Sequence, residues 1–424
     1  MINALYYFLI SKNMTGDISG DLDSYEGEST KYTNPILSEY FESSDDYWHI
    51  PLLSIGNVQG NGIFCRISIQ NNEPSKLYIS FRPLNLDGLD VLLKKNKNID
   101  MITKFTKYKK LDLSQTKSLD NIIHQTQIID DNTFFGNFGI SNGIATEIMK
   151  ENSQINVENW YSTLNRKKIY KPHMKELLNN KVFFTGNNKD KITPNTVKKN
   201  ISILNAIVSF IKFYQPTDVI FTGFSLGSAL AISTAYLVHL YLYGSFILDH
   251  QLTNSNFHIY QFCGPKVGNN IMGEYINKHF KSCYYYALSR NSKIDPVTYM
   301  PSTKFVHIGK LYVLDIINMI LKPYNELSLT KKTSFNKLVL GFVLNLKMSE
   351  PFKAIHLAGE DLIERIFILK LIEANIDIPY ITILPECKYF TSTGYSAKYK
   401  ICPIKNKCRI ISTTIKGKLY NKCE

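Results

Sequence analysis

The stretch that constrains this chain most is Gly223-Phe224-Ser225-Leu226-Gly227, taken with its two flanks. Ahead of it, Asp218 to Thr222 carries the apolar run Val219-Ile220-Phe221. Behind it, Leu226 to Leu248 runs without a single charged side chain. A strand that turns sharply into a helix is the context in which a G-x-S-x-G pattern carries meaning. Small residues let strand and helix close on each other, and the turn lifts the serine hydroxyl above the sheet edge. Gly223 and Gly227 supply the small residues, and the Leu226 N–H in the first helical turn faces any anion forming beside Ser225. Leu226 to Leu248 is also long enough to cross a bilayer. It opens with Gly, Ser and Ala, contains His239 and has no basic residue next to either end, so it reads as a helix buried between a sheet and other helices.

The neighbouring segments extend the pattern. Val197, Ile201, Leu204, Val208 and Ile211 fall at helical spacing, which predicts an amphipathic helix over Thr196–Tyr214 closed by Pro216. Strands are expected at Gly62–Gln70, at Leu77–Arg82 (stopping at Pro83), and at Phe257–Phe262, Tyr284–Ser289 and Phe305–Leu314. Further helices are expected at Ile140–Met149 and Asn270–Phe280. Helix alternating with strand from residue 196 to 290 implies an α/β fold class, a mostly parallel central sheet with helices on both faces. In such sheets function gathers beyond the carboxyl ends of the strands. Both Ser225 and Asp295 fall there.

Apolar residues make up 44% of the chain, enough for a sizeable core, and the formal charge is +13. That charge is uneven. Residues 1–50 hold nine acids against Lys12 and Lys31, and the tail from Ile381 holds nine Lys/Arg against Glu386 and Glu424. A basic surface can attract an anionic lipid–water interface or nucleic acid, and its plainer reading is a solvated, Lys-rich surface. No basic run is long enough to specify nucleic acid, so none is expected as a partner. Cys65, Cys263 and Cys283 sit in apolar stretches and read as small core residues. Cys387, Cys402, Cys408 and Cys423 lack C-x-x-C spacing; they read equally as two disulfides or as four free thiols, and no metal site is expected. Ile2 to Ile10 is apolar but lacks a basic leader and a small-residue cleavage site, so it is not read as a signal peptide.

A serine hydroxyl needs a base within hydrogen-bond reach, and the base needs a carboxylate to orient it. Asp295, in Asp295-Pro296-Val297 just past a strand, is the candidate acid. Where acid and base follow the serine in the order Ser, Asp, His, only His307 and His356 of the nine histidines qualify. His307 lies in the apolar run Phe305-Val306-His307-Ile308-Gly309 and reads as a satisfied structural histidine. His356 precedes a helical pattern (Leu362, Ile363, Ile366, Leu369), and such a junction can swing an imidazole toward Ser225.

Assembled, these pieces resemble the class 3, fungal-type lipases of the α/β-hydrolase superfamily. Phe81-Arg82 resembles that family's F-R-G-[ST] strand, and Phe135 to Gly139 its H-x-G-F segment. Thr222 to Ala231 resembles T-G-H-S-L-G-G-A-L-A, and Phe262 to Asn269 resembles F-G-S-P-R-V-G-N. Asp295-Pro296-Val297 with Pro301 resembles D-x-V-P-x-x-P, followed by the x-x-H-x-G strand at Phe305–Gly309. The resemblance implies Ser225 as nucleophile, Asp295 as acid and His356 as base, with the backbone N–H groups of Leu226 and Leu84 as the oxyanion hole. It implies a carboxylic ester substrate, with a lipid favoured, and no metal or organic cofactor. The departures are Pro83 for Gly, Leu84 for Ser/Thr, Phe135 for His, Phe224 for His and Ser228 for Gly. They keep open an alternative, a catalytically silent hydrolase-fold protein that binds lipid or a protein partner.

Three units are expected: an acidic, loosely structured lead-in over 1–49, a hydrolase domain over 50–380 and a basic Cys-containing tail over 381–424. Within the domain, 84–131 reads as a lid or a surface insertion, 151–195 as a polar insertion, and 311–348 as an apolar insertion that lines an acyl groove, touches a membrane or extends the core.

Overall fold

Successive side chains in the central strands enter two different cores, which is why those strands read as unbroken apolar runs rather than alternating ones. In Asp218–Phe224, Val219 and Phe221 join one core while Ile220 and Phe224 join the other. In Lys76–Phe81, Leu77, Ile79 and Phe81 face the first core and Tyr78 the second. In Asn256–Phe262, Phe257 and Ile259 face the first, Tyr260 and Phe262 the second. Such strands can only lie in a sheet covered on both sides.

The computed structural model describes residues 2–12, 49–56, 63–70, 75–84, 127–129, 131, 133–152, 155–157, 201–244, 255–290, 293–300, 304–316, 320–323, 355–356, 363, 366–367, 370–371, 374, 382–384, 389–390, 396–397, 400–402, 410–415 and 418–423. The strands in chain order are β1 (His49–Gly56), β2 (Phe64–Gln70), β3 (Lys76–Phe81), β4 (Glu151–Asn152), β5 (Ile155–Val157), β6 (Ile201–Ser202), β7 (Asp218–Phe224), β8 (Asn256–Phe262), β9 (Ser282–Arg290), β10 (Lys293–Ile294), β11 (Lys310–Asp315) and β12 (Ile320–Pro323). The helices are α1 (Ile2–Lys12), α2 (Asn142–Met149), α3 (Ile203–Tyr214), α4 (Leu226–Tyr243) and α5 (Asn270–His279). The main sheet runs β12-β11-β9-β8-β7-β3-β2-β1-β5. Its heart, β3-β7-β8-β9-β11, is parallel. Antiparallel strands finish both edges.

Helices α2, α3, α4 and α5 supply the first core. Helix α4 has 15 of its 18 residues buried, among them Ala229, Leu230 and Ala235. It is long and apolar enough to cross a membrane by composition, and it lies inside the fold instead. The expected start of α3 at Thr196 shifts to Ile203, because Ser202 caps the helix: its Oγ accepts the Asn205 N–H at 3.1 Å. Ile201 pairs in β6 with β4, and Val197 lies outside the described residues. The strand expected from Phe305 begins only at Lys310, since the chain turns at Gly309 (φ 103°), where a Cβ would meet Cys283.

The second core holds a correction. The lead-in expected to be loose over 1–49 contains a packed helix, α1, whose Ala4, Leu5 and Phe8 are fully buried against the sheet. Its Tyr7 carbonyl accepts the Thr222 hydroxyl at 3.0 Å. Facing the same core are Ile355, Ile363, Ile366, Phe367 and Leu371. At the front of the apolar insertion, β11 and β12 pair at the sheet edge, and Leu314 and Ile316 enter this core. The rest of that insertion, most of 84–131 and 151–195, and the side chains of the four tail cysteines lie outside the described residues. In the tail, Thr382–Leu384 pairs with Lys400–Cys402 and Ile410–Ile415 with Lys418–Cys423, both antiparallel. Cys65 and Cys263 are buried and Cys283 is half-buried, none of the three in a disulfide.

Candidate active site

Strand β7 ends at Phe224, and helix α4 begins two residues later at Leu226. Only Ser225 lies between, and it takes up φ 56°, ψ −126°. A non-glycine residue in that region carries strain of about 1–3 kcal/mol, held by its surroundings. Here the Ser225 N–H donates to the Phe262 carbonyl at 2.9 Å, and the Ser228 N–H donates to the Ser225 carbonyl at 3.0 Å. The flanking glycines are required by space. A Cβ on Gly223 would sit 2.1 Å from the Gly227 carbonyl oxygen, and one on Gly227 would sit 2.3 Å from that of Phe81. The contact at Gly227 packs the end of β3 against the first turn of α4. It brings the Phe81-Arg82-Pro83-Leu84 segment beside the elbow, in register with Gly223.

Past the ends of β9 and β10, Asp295 begins a single 3-10 turn, Pro296–Tyr299. One carboxylate oxygen accepts the Val297 N–H at 2.9 Å, which fixes the side chain. The Thr298 hydroxyl donates to the Asp295 carbonyl at 2.7 Å. The other carboxylate oxygen faces His356 Nδ1 at 2.5 Å. On the opposite edge of the imidazole, Nε2 lies 2.8 Å from Ser225 Oγ. Ser225, His356 and Asp295 are 3%, 2% and 0% exposed. The line of hydrogen bonds therefore lies in water-poor surroundings, where each bond is electrostatically stronger.

Two phenols stand behind the carboxylate. Burial, with the Asp295 charge adding to it, pushes Tyr285 well above its ordinary range and raises Tyr299 as well. Tyr285 is thus a proton donor throughout, and it donates to the Gly264 carbonyl at 2.5 Å.

Of the two histidines that chain order allows, the structure brings His356 to Ser225. His307 instead lies against the Tyr285 ring at 4.7 Å between centroids. Burial first, then the Lys266 charge, push it down to about 3. The expectation that it is fully satisfied does not hold, because its Nδ1 has no hydrogen-bond partner. Leu84 and Leu226 are both buried at the elbow, and as the first residue of α4, Leu226 has an N–H with no acceptor within the helix.

Sequence reasoning missed two features. Phe224 stacks on the His356 ring at 5.0 Å and 19°. A second Ser–His–Asp line joins Ser282 Oγ to His258 Nδ1 at 2.8 Å and His258 Nε2 to Asp218 at 3.0 Å. It lies at the amino ends of β7, β8 and β9. The N–H groups of Asp218 and Asn256 are committed there to the carbonyls of Ser75 and Thr217, so neither serves as an oxyanion donor. The pattern 218–258–282 becomes visible only when strand register sets these residues side by side.

The comparisons with known proteins fall on the same segments. Residues 155–305 match the class 3 lipase family model, a span that includes Ser225 and Asp295 and ends before His356. No curated protein sequence matches the chain. Among solved structures, a triacylglyceride lipase of Rhizomucor miehei aligns with 74% of this chain and 79% of its own, at 12% identity and TM-score 0.35. A lipase from Rhizopus microsporus var. chinensis aligns with 74% of each chain, at 12% identity and TM-score 0.35. A triacylglycerol lipase from Penicillium expansum aligns with 66% of this chain and 75% of its own, at 11% identity and TM-score 0.30. Residues 155–305 are thus similar to the class 3 lipases, and they carry the elbow after β7 within a mostly parallel, doubly covered α/β sheet.

Proposed function

We propose that the chain hydrolyses a carboxylic ester of a lipid by two-step acyl transfer, with Ser225 as nucleophile, His356 as general base and acid, and Asp295 as the orienting carboxylate. The observation that carries this reading is the buried line Ser225 Oγ–His356 Nε2, His356 Nδ1–Asp295, at 2.8 and 2.5 Å. His356 Nε2 takes the Ser225 proton as Oγ attacks the carbonyl carbon. Asp295 holds the proton on Nδ1 and stabilises the imidazolium. The tetrahedral oxyanion meets the Leu226 and Leu84 N–H groups. The imidazolium returns its proton to the departing alcohol. Water, deprotonated by His356, then attacks the acyl-enzyme and releases the carboxylic acid and free Ser225. The Leu84 side chain offers no hydroxyl, so the oxyanion hole rests on backbone donors. One missing donor costs about 10²–10³ in rate, which makes a slow enzyme the expectation. The catalytic unit is the proposed domain over 50–380, with α1 added to its core.

A fluorophosphonate probe tests the reading on the folded full chain. Covalent labelling mapped to Ser225 by mass spectrometry, absent in Ser225→Ala, is the expected result. Wild-type protein of native near-UV dichroism that takes no label would favour the silent, lipid- or partner-binding alternative.

A further inference from the structure

The imidazole of His356 has two edges and two faces. The edges are occupied by Asp295 and Ser225. One face is covered by Phe224, whose ring lies nearly parallel at 5.0 Å between centroids. Phe224 is buried and cannot swing away. It is the last residue of β7, in register with Phe262, and the Phe8 ring of α1 meets it edge-on at 6.4 Å and 82°. Phe8 also meets Phe262 at 5.1 Å, so the three rings brace one another.

An aromatic face carries the negative side of a ring quadrupole and attracts a cation within about 6 Å of its centroid. It attracts neutral imidazole less. The His356 ring is neutral while an ester is bound and positive as Oγ attacks, so the face interacts more strongly with the transition state than with the ground state. Only such differential interactions speed the chemical step. The stack also restricts rotation of the imidazole, keeping both nitrogens aligned with their partners. We propose that Phe224 is a positioning residue that acts through His356, holding the imidazole in line and favouring its imidazolium form. The inference rests on the reading of Ser225, His356 and Asp295 as the reacting line. It gives the elbow's variable position, where the family motif has His, a role in this chain's chemistry.

Among the groups around His356, the two phenols keep their protons across the neutral range. Asp295 faces Nδ1. Tyr285 and Tyr299 behind it are raised by burial and by the Asp295 charge, and Cys263 lies beside Tyr285. A change in pH dependence on altering Phe224 therefore reports on the stack.

Phenylalanine carrying one, two or three ring fluorines, incorporated at position 224 of the full chain, weakens the quadrupole while keeping the shape. The expected result is a graded fall in kcat reaching about tenfold for the trifluoro ring. KM should stay unchanged, and the acidic limb of the kcat/KM profile should move to lower pH. Phe224→Leu should lose at least as much kcat, with its folding checked by urea unfolding. Unchanged kcat and an unmoved acidic limb in the fluorinated series, while Ser225→Ala is inactive, would overturn the role of Phe224 and leave the site reading intact. Activity persisting in Ser225→Ala would overturn the site reading itself.

Discussion

At the scale of single residues, the elbow is a problem of space before it is one of chemistry. Gly227 has the Phe81 carbonyl oxygen 2.3 Å from where a Cβ would stand, and backbone cannot yield as a flexible side chain does. Gly227→Ala should therefore cost about 1–3 kcal/mol by overpacking, read as a lower urea midpoint at unchanged slope. It should also reduce activity by displacing the Leu226 N–H. The elbow and Asp295 were legible in sequence because their meaning is local: glycine spacing, a strand before, a helix after, an Asp-Pro turn. His356 was legible through chain order, an adjacent helical pattern and the resemblance to the class 3 lipases, since no local feature says where an imidazole 131 residues away will point. The stack of Phe224 on that ring was not legible at all. It depends on two segments meeting in space, and an aromatic before the serine reads as core.

Among the elements, α1 shows how a short helix escapes sequence reading. Ile2 to Lys12 is apolar nearly throughout and has no polar face to mark a period. Next to an acidic stretch it reads as the end of a loose lead-in. Its position under β7 makes it part of the sheet's second covering layer. Phe8 is fully buried between Phe224 and Phe262, so Phe8→Ala should destabilise the fold by about 3–5 kcal/mol, measurable by chemical unfolding. A surface substitution such as Asn3→Ala should move the midpoint by less than about 0.5 kcal/mol, because Asn3 is exposed. The central strands and α4 were legible because burial on both faces writes long uncharged runs into the sequence. Helix α3 was legible in its period and misplaced at its start, where a single serine cap outweighs the apolar pattern.

At the scale of the whole molecule, stability responds to acid through buried histidines. His239, on the face of α4 toward α5, donates to or accepts from the Tyr275 hydroxyl at 2.9 Å. Burial first, then the nearby His279, push it down to about 4 from an ordinary 6.5. Below 6.5 the unfolded chain therefore binds a proton that the folded chain refuses. As pH drops from 6.5 toward 4, His239 should cost the fold roughly 3 kcal/mol, and His307, pushed down to about 3, should add to the fall in the same direction. His239→Phe should lessen that slope in urea titrations at pH 7 and 4.5, and the part that remains should belong to His307. The central claim is that Ser225 attacks an ester carbonyl, and hydrolysis of p-nitrophenyl esters from C2 to C16 by wild type and Ser225→Ala tests it most directly. Wild-type turnover that rises with chain length and vanishes in the variant is the expected result. Equal background in both folded proteins, with a lipid interface present, would contradict the account.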